Sequence, residues 1–170
     1  MTISRRHLLG LAATAGISSL APRPGFAADP PQRTKGSLLK LSLAGYSFNR
    51  QMARRGTPEQ IAKAEMSLEK LILFCAEQGL GAAELTGYYF PAEITPAYLN
   101  SLKALAHRNG VVISGTAIGN DFCLPEGDAR QKQLNECRQW IDYAAIMGAP
   151  AIRIFAGKVP TGDSEEAAIT

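Results

Sequence analysis

The stretch Ser67-Leu68-Glu69-Lys70-Leu71-Ile72-Leu73-Phe74-Cys75-Ala76-Glu77-Gln78-Gly79-Leu80-Gly81-Ala82-Ala83-Glu84-Leu85-Thr86 decides the fold. Leu68, Leu71, Ile72 and Cys75 fall at i, i+3, i+4 and i+7, the apolar stripe of an amphipathic helix that begins at Ser67. Gly79 ends the helix, and Ala82 to Thr86 follows as a short strand. Within that strand Ala83 and Leu85 suit a helix-covered face, which turns Glu84 to the opposite side with Ala82 and Thr86.

The same alternation of strand and helix extends outward in both directions. Upstream, Leu38 to Gly45 is a strand candidate. An insertion from Asn49 to Met66 holds a short helix, because Thr57-Pro58-Glu59-Gln60 is a start signal. Downstream, Thr95 and Pro96 supply an N-cap and an N1 proline for a helix with Tyr98, Leu102 and Leu105 on one stripe, closed by Gly110. Val111 to Ile118 is a third strand. Asp128 is expected to cap a third helix, with Cys137, Trp140, Ile141 and Ala144 on its buried face and Gly148 as its stop. Ala151 to Ala156 is a fourth strand, and Asp163 or Ser164 opens a further helix.

The order βαβαβαβ(α) requires a parallel sheet with right-handed crossovers. A doubly wound nucleotide fold needs phosphate chemistry at its first turn, but Gly45-Tyr46-Ser47-Phe48 is not a GxGxxG loop and no Walker lysine motif occurs. A (β/α)8 barrel takes ~250 residues. Four βα units are therefore expected to be the N-terminal half of such a barrel, over residues 38–170.

Composition sets the remaining bounds. The 170 residues are 46% apolar and 19% charged, as in a folded globular domain. The formal net charge is +3, yet residues 1–27 contain Arg5, Arg6 and Arg23 and no carboxylate. Without that segment 15 basic residues face 15 acidic ones, so the charge gives no reason to expect nucleic acid. Arg5-Arg6 precede a modest apolar run from Leu8 to Leu20 and a small-residue site ending at Ala27, which resembles a twin-arginine export signal. An ordinary secretory signal or a lipid-facing anchor is the alternative; the run is too short to span a bilayer. The mature protein is expected to be periplasmic or extracytoplasmic in a bacterium, with residues 28–37 as a tether and no stable membrane insertion. Cys75, Cys123 and Cys137 show no metal spacing. Cys75 and Cys137 read as core residues and Cys123 as a loop residue.

Three stretches carry a family resemblance. Leu68 to Gly79 running into Gly81-Ala82-Ala83-Glu84-Leu85-Thr86-Gly87-Tyr88-Tyr89-Phe90-Pro91, together with Val111 to Phe122 and Gly148 to Gly157, resembles the sugar phosphate isomerase/epimerase group of the xylose isomerase-like barrel superfamily. The resemblance implies a metal-dependent isomerase or epimerase acting on a small sugar or sugar phosphate by proton transfer next to a carbonyl. It also implies a divalent metal, Mn, Mg, Co or Zn, held by carboxylates and a histidine on the later strands. The ligands and catalytic groups are then expected beyond Thr170, with no metal site in this chain and no activity from it alone. His107, the only histidine after the signal, falls near a helix C-terminus and reads as structural. An endonuclease IV-like phosphodiesterase would need several histidines, and a non-catalytic carbohydrate-binding barrel is the other alternative. A homo-oligomer is compatible with all three.

Barrel active sites gather at the C-terminal strand ends. The candidates there are Tyr46 after strand one, Glu84 and Tyr88 on and after strand two, Thr116 and Asn120 on and after strand three, and Arg153 on strand four. Tyr88-Tyr89-Phe90 suits a wall against sugar C–H surfaces, or a packed loop cluster. Asn120 and Asp121 suit sugar hydroxyls, or a turn. Because strands two and four share interior layers, Glu84 and Arg153 are expected to form an ion pair.

A half-barrel leaves strands one and four unpaired and one sheet face open. Residues 28–170 expressed alone are expected to aggregate, dimerise or melt at low temperature; a monomer with a cooperative calorimetric transition would contradict this.

Overall fold

The computed structural model describes residues 39–159, 161–162 and 164–166. The export signal expected over residues 1–27 and the tether over 28–37 lie outside the described residues. Four parallel strands, β1 (Ser42–Ala44), β2 (Ala82–Thr86), β3 (Val112–Ala117) and β4 (Ile152–Arg153), form one sheet in the order β1-β2-β3-β4. That order separates the two competing folds. A doubly wound sheet reverses direction beside its first strand, whereas a barrel adds each strand next to the last. The chain forms the first four strands of a (β/α)8 barrel.

The helices are α1 (Pro58–Lys63), α2 (Leu68–Glu77), α3 (Pro96–Arg108) and α4 (Asp128–Met147). Three begin as their sequences require. Thr57 and Gln60 make a reciprocal capping box on α1, and Ser67 and Thr95 accept backbone N–H bonds at the starts of α2 and α3. The fourth differs from expectation, because Gly127 occupies the N-cap and Asp128 is the first helical residue. Gly148 ends α4 with φ 75°, a left-handed conformation open to glycine at little cost.

One face of the sheet is packed under α2, α3 and α4. Ala83, Leu85 and Ile113 from the strands meet a layer with Leu71, Ile72, Cys75, Leu99, Leu102, Trp140 and Met147, all buried. Two predicted stripes were rotated. On α3 the buried residues are Leu99, Leu102 and Ala106, while Tyr98 and Leu105 flank the core. On α4 they are Trp140, Ala144 and Met147, and Ile141 is 54% exposed. Trp140 sets the rotation of α4, standing edge-on to Phe90 at 5.1 Å and to Tyr143 at 5.5 Å. A Cβ on Gly87 would lie 2.9 Å from this indole and from the Ala117 carbonyl oxygen.

The other face is the barrel interior, and it carries small and polar residues. Ser42 and Ser114, from β1 and β3, share a 2.6 Å hydroxyl hydrogen bond. Reaching across β2, the pair joins alternate strands, as barrel layers do. A register shift between Ala83 and Glu84 inserts Ser114 as an extra residue on β3. Glu84 therefore pairs with Gly115, Leu85 with Thr116 and Thr86 with Ala117.

β4 is two residues long rather than the six expected. Beyond it the β3–β4 association is continued by side chains and isolated backbone bonds. The Asn120 amide donates to the Phe155 carbonyl at 2.6 Å and accepts from the Phe155 N–H at 3.0 Å. Phe122 N–H donates to the Ala156 carbonyl at 2.9 Å.

Among the described residues no helix is long and apolar enough to cross a membrane. Trp140→Ala is expected to cost about 3–5 kcal/mol in denaturant unfolding. Ile141→Gln should stay within about 0.5 kcal/mol. Equal losses for the two variants would contradict the rotation of α4.

Candidate functional site

The strand ends bring four sequence candidates to one rim and leave two inside the framework. After β1 the chain makes a 3-10 turn, Gly45–Phe48, that presents Tyr46, 55% exposed. After β2 a second 3-10 turn, Gly87–Tyr89, presents Tyr88. The Tyr46 and Tyr88 rings meet edge to face at 6.4 Å, and Tyr88 meets Tyr89 likewise at 6.2 Å. Gly119, after β3, lets the phenol end of Tyr88 approach the next loop closely, because a Cβ there would come 2.8 Å from the ring. Tyr89 and Phe90 are both buried in the core cluster, so of the expected three-residue aromatic wall Tyr88 alone is partly exposed, with its ring against Tyr46.

Glu84 lies on the interior face, half-buried, and accepts a 2.8 Å hydrogen bond from the Thr86 hydroxyl. Arg153 lies on the same interior side at the level of Ala117 and Thr86. Its guanidinium donates to the Ile118 carbonyl at 3.0 Å and sits 4.0 Å over the Phe155 ring. The expected Glu84–Arg153 ion pair does not form; among the described residues the ion pair is Arg130–Glu126. Register is the reason. Arg153 is level with Thr86, one pleat above Glu84, and β3 stands between their strands. That separates the two backbones by about 10 Å across the sheet and about 7 Å along it.

Thr116 and Asn120 are committed to the framework. Thr116 faces the helices, since it pairs with Leu85 and Ile152, and its hydroxyl donates to the Leu85 carbonyl at 2.6 Å. Both ends of the Asn120 amide serve the Phe155 backbone. Asp121 behaves similarly, its carboxylate accepting from the Cys123 N–H at 3.0 Å and the Lys158 N–H at 3.3 Å.

Arg54 escaped the sequence-based candidate set, and Tyr89, weighed there as part of a wall or of a packed cluster, is packed. The Tyr89 side chain is buried, with the residue 3% exposed, and its hydroxyl has no hydrogen-bond partner among the described residues. Burial pushes its phenol above the usual tyrosine range; nearby Arg54 opposes that shift, and Tyr46, Tyr88 and Glu84 add to it. Arg54 places its guanidinium 5.0 Å over the Tyr88 ring. It comes from an irregular loop, where periodicity gives no signal. The one available sign was a run from Lys40 to Pro58 with three arginines and no carboxylate.

Among the described residues no three His, Cys, Asp or Glu side chains come together to hold a metal ion. His107 is exposed in the last turn of α3. The described residues therefore do not fit a metal centre. The mouth offers a carboxylate, aromatic faces and guanidinium groups: means to bind and orient a polyhydroxylated molecule.

Grooves also lie on the helical shell. One, of about 560 Å³, runs between α1 and the starts of α2 and α3. There burial beside the Glu69 carboxylate holds the Tyr98 phenol far above its usual range.

A search of curated proteins finds no match. Two solved structures share the fold. A D-psicose 3-epimerase with D-tagatose from Clostridium cellulolyticum H10 superposes with a TM-score of 0.58 at 16% identity, over 76% of this chain and 43% of that one. A D-psicose 3-epimerase in the presence of D-fructose gives 0.57 and 13% over the same shares. The chain thus spans less than half the length of these epimerases. The family model described as xylose isomerase-like TIM barrel matches residues 72–170. Consecutive parallel strands, helices on one face and polar groups at the strand ends agree with that match, and the chain belongs to the xylose isomerase-like TIM barrel family.

Proposed function

We propose that the protein is a sugar isomerase or epimerase that binds its substrate at the C-terminal strand ends and moves a proton next to a carbonyl. The observation that carries this reading is the Glu84 carboxylate, which accepts from Thr86 on the interior face of the strands whose ends carry the edge-to-face pair Tyr46 and Tyr88. Sugar rings expose C–H patches that pack on aromatic faces, and their hydroxyls donate to carboxylates. Glu84 is thus a binding group for hydroxyls. The Arg153 guanidinium, anchored through one nitrogen, has donors left for sugar oxygens.

Such chemistry develops negative charge on oxygen, which a divalent cation would stabilise. The ligands for that cation would come from outside the described residues. On this reading the described residues bind and orient, and the proton-transferring groups would come from outside them.

The test is exchange of substrate hydrogen with solvent. Ketohexoses incubated with Mn²⁺ and a complete barrel that contains this chain, in D₂O, are expected to gain deuterium at a carbon adjacent to the carbonyl, seen by NMR. Glu84→Gln should raise KM about tenfold and leave kcat nearly unchanged, the signature of a lost binding contact. No exchange with any ketose would overturn the reading.

We also propose export through the twin-arginine route, on the strength of Arg5-Arg6 ahead of a weak apolar run. Arg5→Lys with Arg6→Lys should leave the precursor in the cytoplasm, whereas the unaltered chain should be recovered outside it beginning at Ala28. Undiminished export of the double variant would sink this assignment.

A further inference from the structure

Helix α1 contributes no residue to the core. It is six residues long, and none of them is buried. So short a helix has little stability of its own and gains it elsewhere by laying an apolar face on a neighbour. Here the two ends hold it instead. At its start Thr57 and Gln60 form the capping box, and the Ala92 N–H donates to the Gly56 carbonyl at 3.3 Å. At its end the Lys70 ammonium donates to the Ala64 and Glu65 carbonyls at 2.9 and 3.1 Å. Strapped across the starts of α2 and α3 in this way, α1 forms one wall of the groove of about 560 Å³ rather than filling it.

A groove of that volume suits a small molecule. Pro58 and Ile61 of α1 line it together with Pro91 and Tyr98, whose ring stands perpendicular to Phe90 at 6.2 Å. The charged residues of the lining are Glu69, Glu93 and Lys70. Lys70 has two of its three N–H groups engaged by the carbonyls at the end of α1. Glu69 accepts from the Ser67 hydroxyl at 2.8 Å and stands beside the Tyr98 phenol, and a carboxylate has room for further donors. Burial keeps that phenol protonated, so Tyr98 adds no charge and offers an aromatic ring, whose face attracts cations. Helix starts attract anions, but those of α1, α2 and α3 are closed by Thr57, Ser67 and Thr95, and Glu59 and Glu69 occupy the first turns of α1 and α2. The groove therefore combines apolar walls with an excess of negative charge.

We infer that this groove is a binding site for a small organic cation, whose apolar body packs on Ile61, Pro91 and Tyr98 and whose ammonium is drawn to Glu69 and Glu93. An occupant would complete the apolar cover of α1 that the fold leaves open. The site belongs to the helical shell, not to the mouth at the strand ends, and it stands independently of the reaction proposed there.

Probes of one shape and different charge test this: 2-phenylethylammonium, 2-phenylethanol and 3-phenylpropionate, each titrated into a ¹⁵N-labelled complete barrel that contains this chain. The ammonium should shift the amide signals of Ile61, Lys70 and Tyr98 and bind about fivefold more tightly than the alcohol, with the carboxylate weakest. That preference should shrink as salt is added. Glu93→Gln, at an exposed position, should cut the preference about threefold. Ile61→Lys should abolish ammonium binding and leave the melting temperature nearly unchanged, since α1 buries no residue. Bound ammonium should also slow amide hydrogen exchange in α1.

Equal binding of the alcohol, or tighter binding of the carboxylate, would overturn the inference. Ammonium binding that survives Ile61→Lys unchanged would overturn it too, as would signals that move at Tyr46 and Tyr88 and not at the groove. Binding of none of the probes would do the same. Each of these outcomes leaves the sugar reading standing, because deuterium exchange into ketohexoses tests that reading separately.

Discussion

Everything at the rim depends on one layer, in which Ala83, Leu85 and Ile113 are pressed beneath Leu71, Ile72, Leu99 and Leu102. A parallel strand cannot pair with its predecessor without a crossover, and the crossover helix is stable only when it buries its apolar stripe on the sheet. Small strand residues such as Ala83 let α2 approach closely, while leucines on the helices fill the space between. Because side chains alternate along a strand, committing Ala83 and Leu85 to the helices leaves Glu84 and Thr86 no other direction than the interior. The apolar layer therefore aims the carboxylate of the mouth.

The same layer shapes the turn that follows. Trp140 crosses beneath the end of β2, and the 2.9 Å clearance at Gly87 leaves no room for a side chain. The backbone passes over the indole, tightens into a 3-10 turn, and returns Phe90 to the core 5.1 Å from Trp140. Tyr89 is buried with Phe90, and Tyr88 is left partly exposed at the rim. Aromatic packing on the helical side thus decides which one of three consecutive aromatics reaches the mouth. On the far side of the mouth, the fourth strand is too short to hold its loop by a regular ladder. Asn120 and Asp121 take over that task by imitating backbone partners, which draws them away from ligand contacts.

Local features were the legible ones. Thr57, Ser67 and Thr95 cap helices as their side chains and neighbours demand, and β2 spans Ala82 to Thr86 as its alternation requires. Tyr46, Glu84, Tyr88 and Arg153 reach the mouth because each follows from strand alternation or strand-end position. What escaped was set by contacts distant in sequence. Ile141 and Trp140 are adjacent apolar residues on α4, and only the pocket formed by Phe90, Gly87 and Tyr143 selects the indole for burial. The extra residue on β3 puts Thr116 beside Leu85 and sends it to the helical face. The Glu84–Arg153 pairing failed for a related reason, since sharing an interior face does not place two residues at one height.

Charge shows the same contrast between a chain-wide sum and a local arrangement. Outside residues 1–27 the basic and acidic residues balance, and a balanced chain suggests no anionic partner. Electrostatic interactions in water, however, fade over a Debye length of about 8 Å at physiological salt. What a ligand meets at the mouth is the loop within that distance, and from Lys40 to Pro58 that segment holds arginines and no carboxylate. Glu84 lies on the interior face of the mouth and Glu59 directly follows that segment, whereas Glu69 stands at a helix start and Glu126 on the surface. A chain that is neutral as a whole can thus carry a run of one sign, provided the loop that holds it is fixed. Arg55, in the left-handed region with its N–H donating to the Tyr88 carbonyl, fixes this loop against the turn after β2.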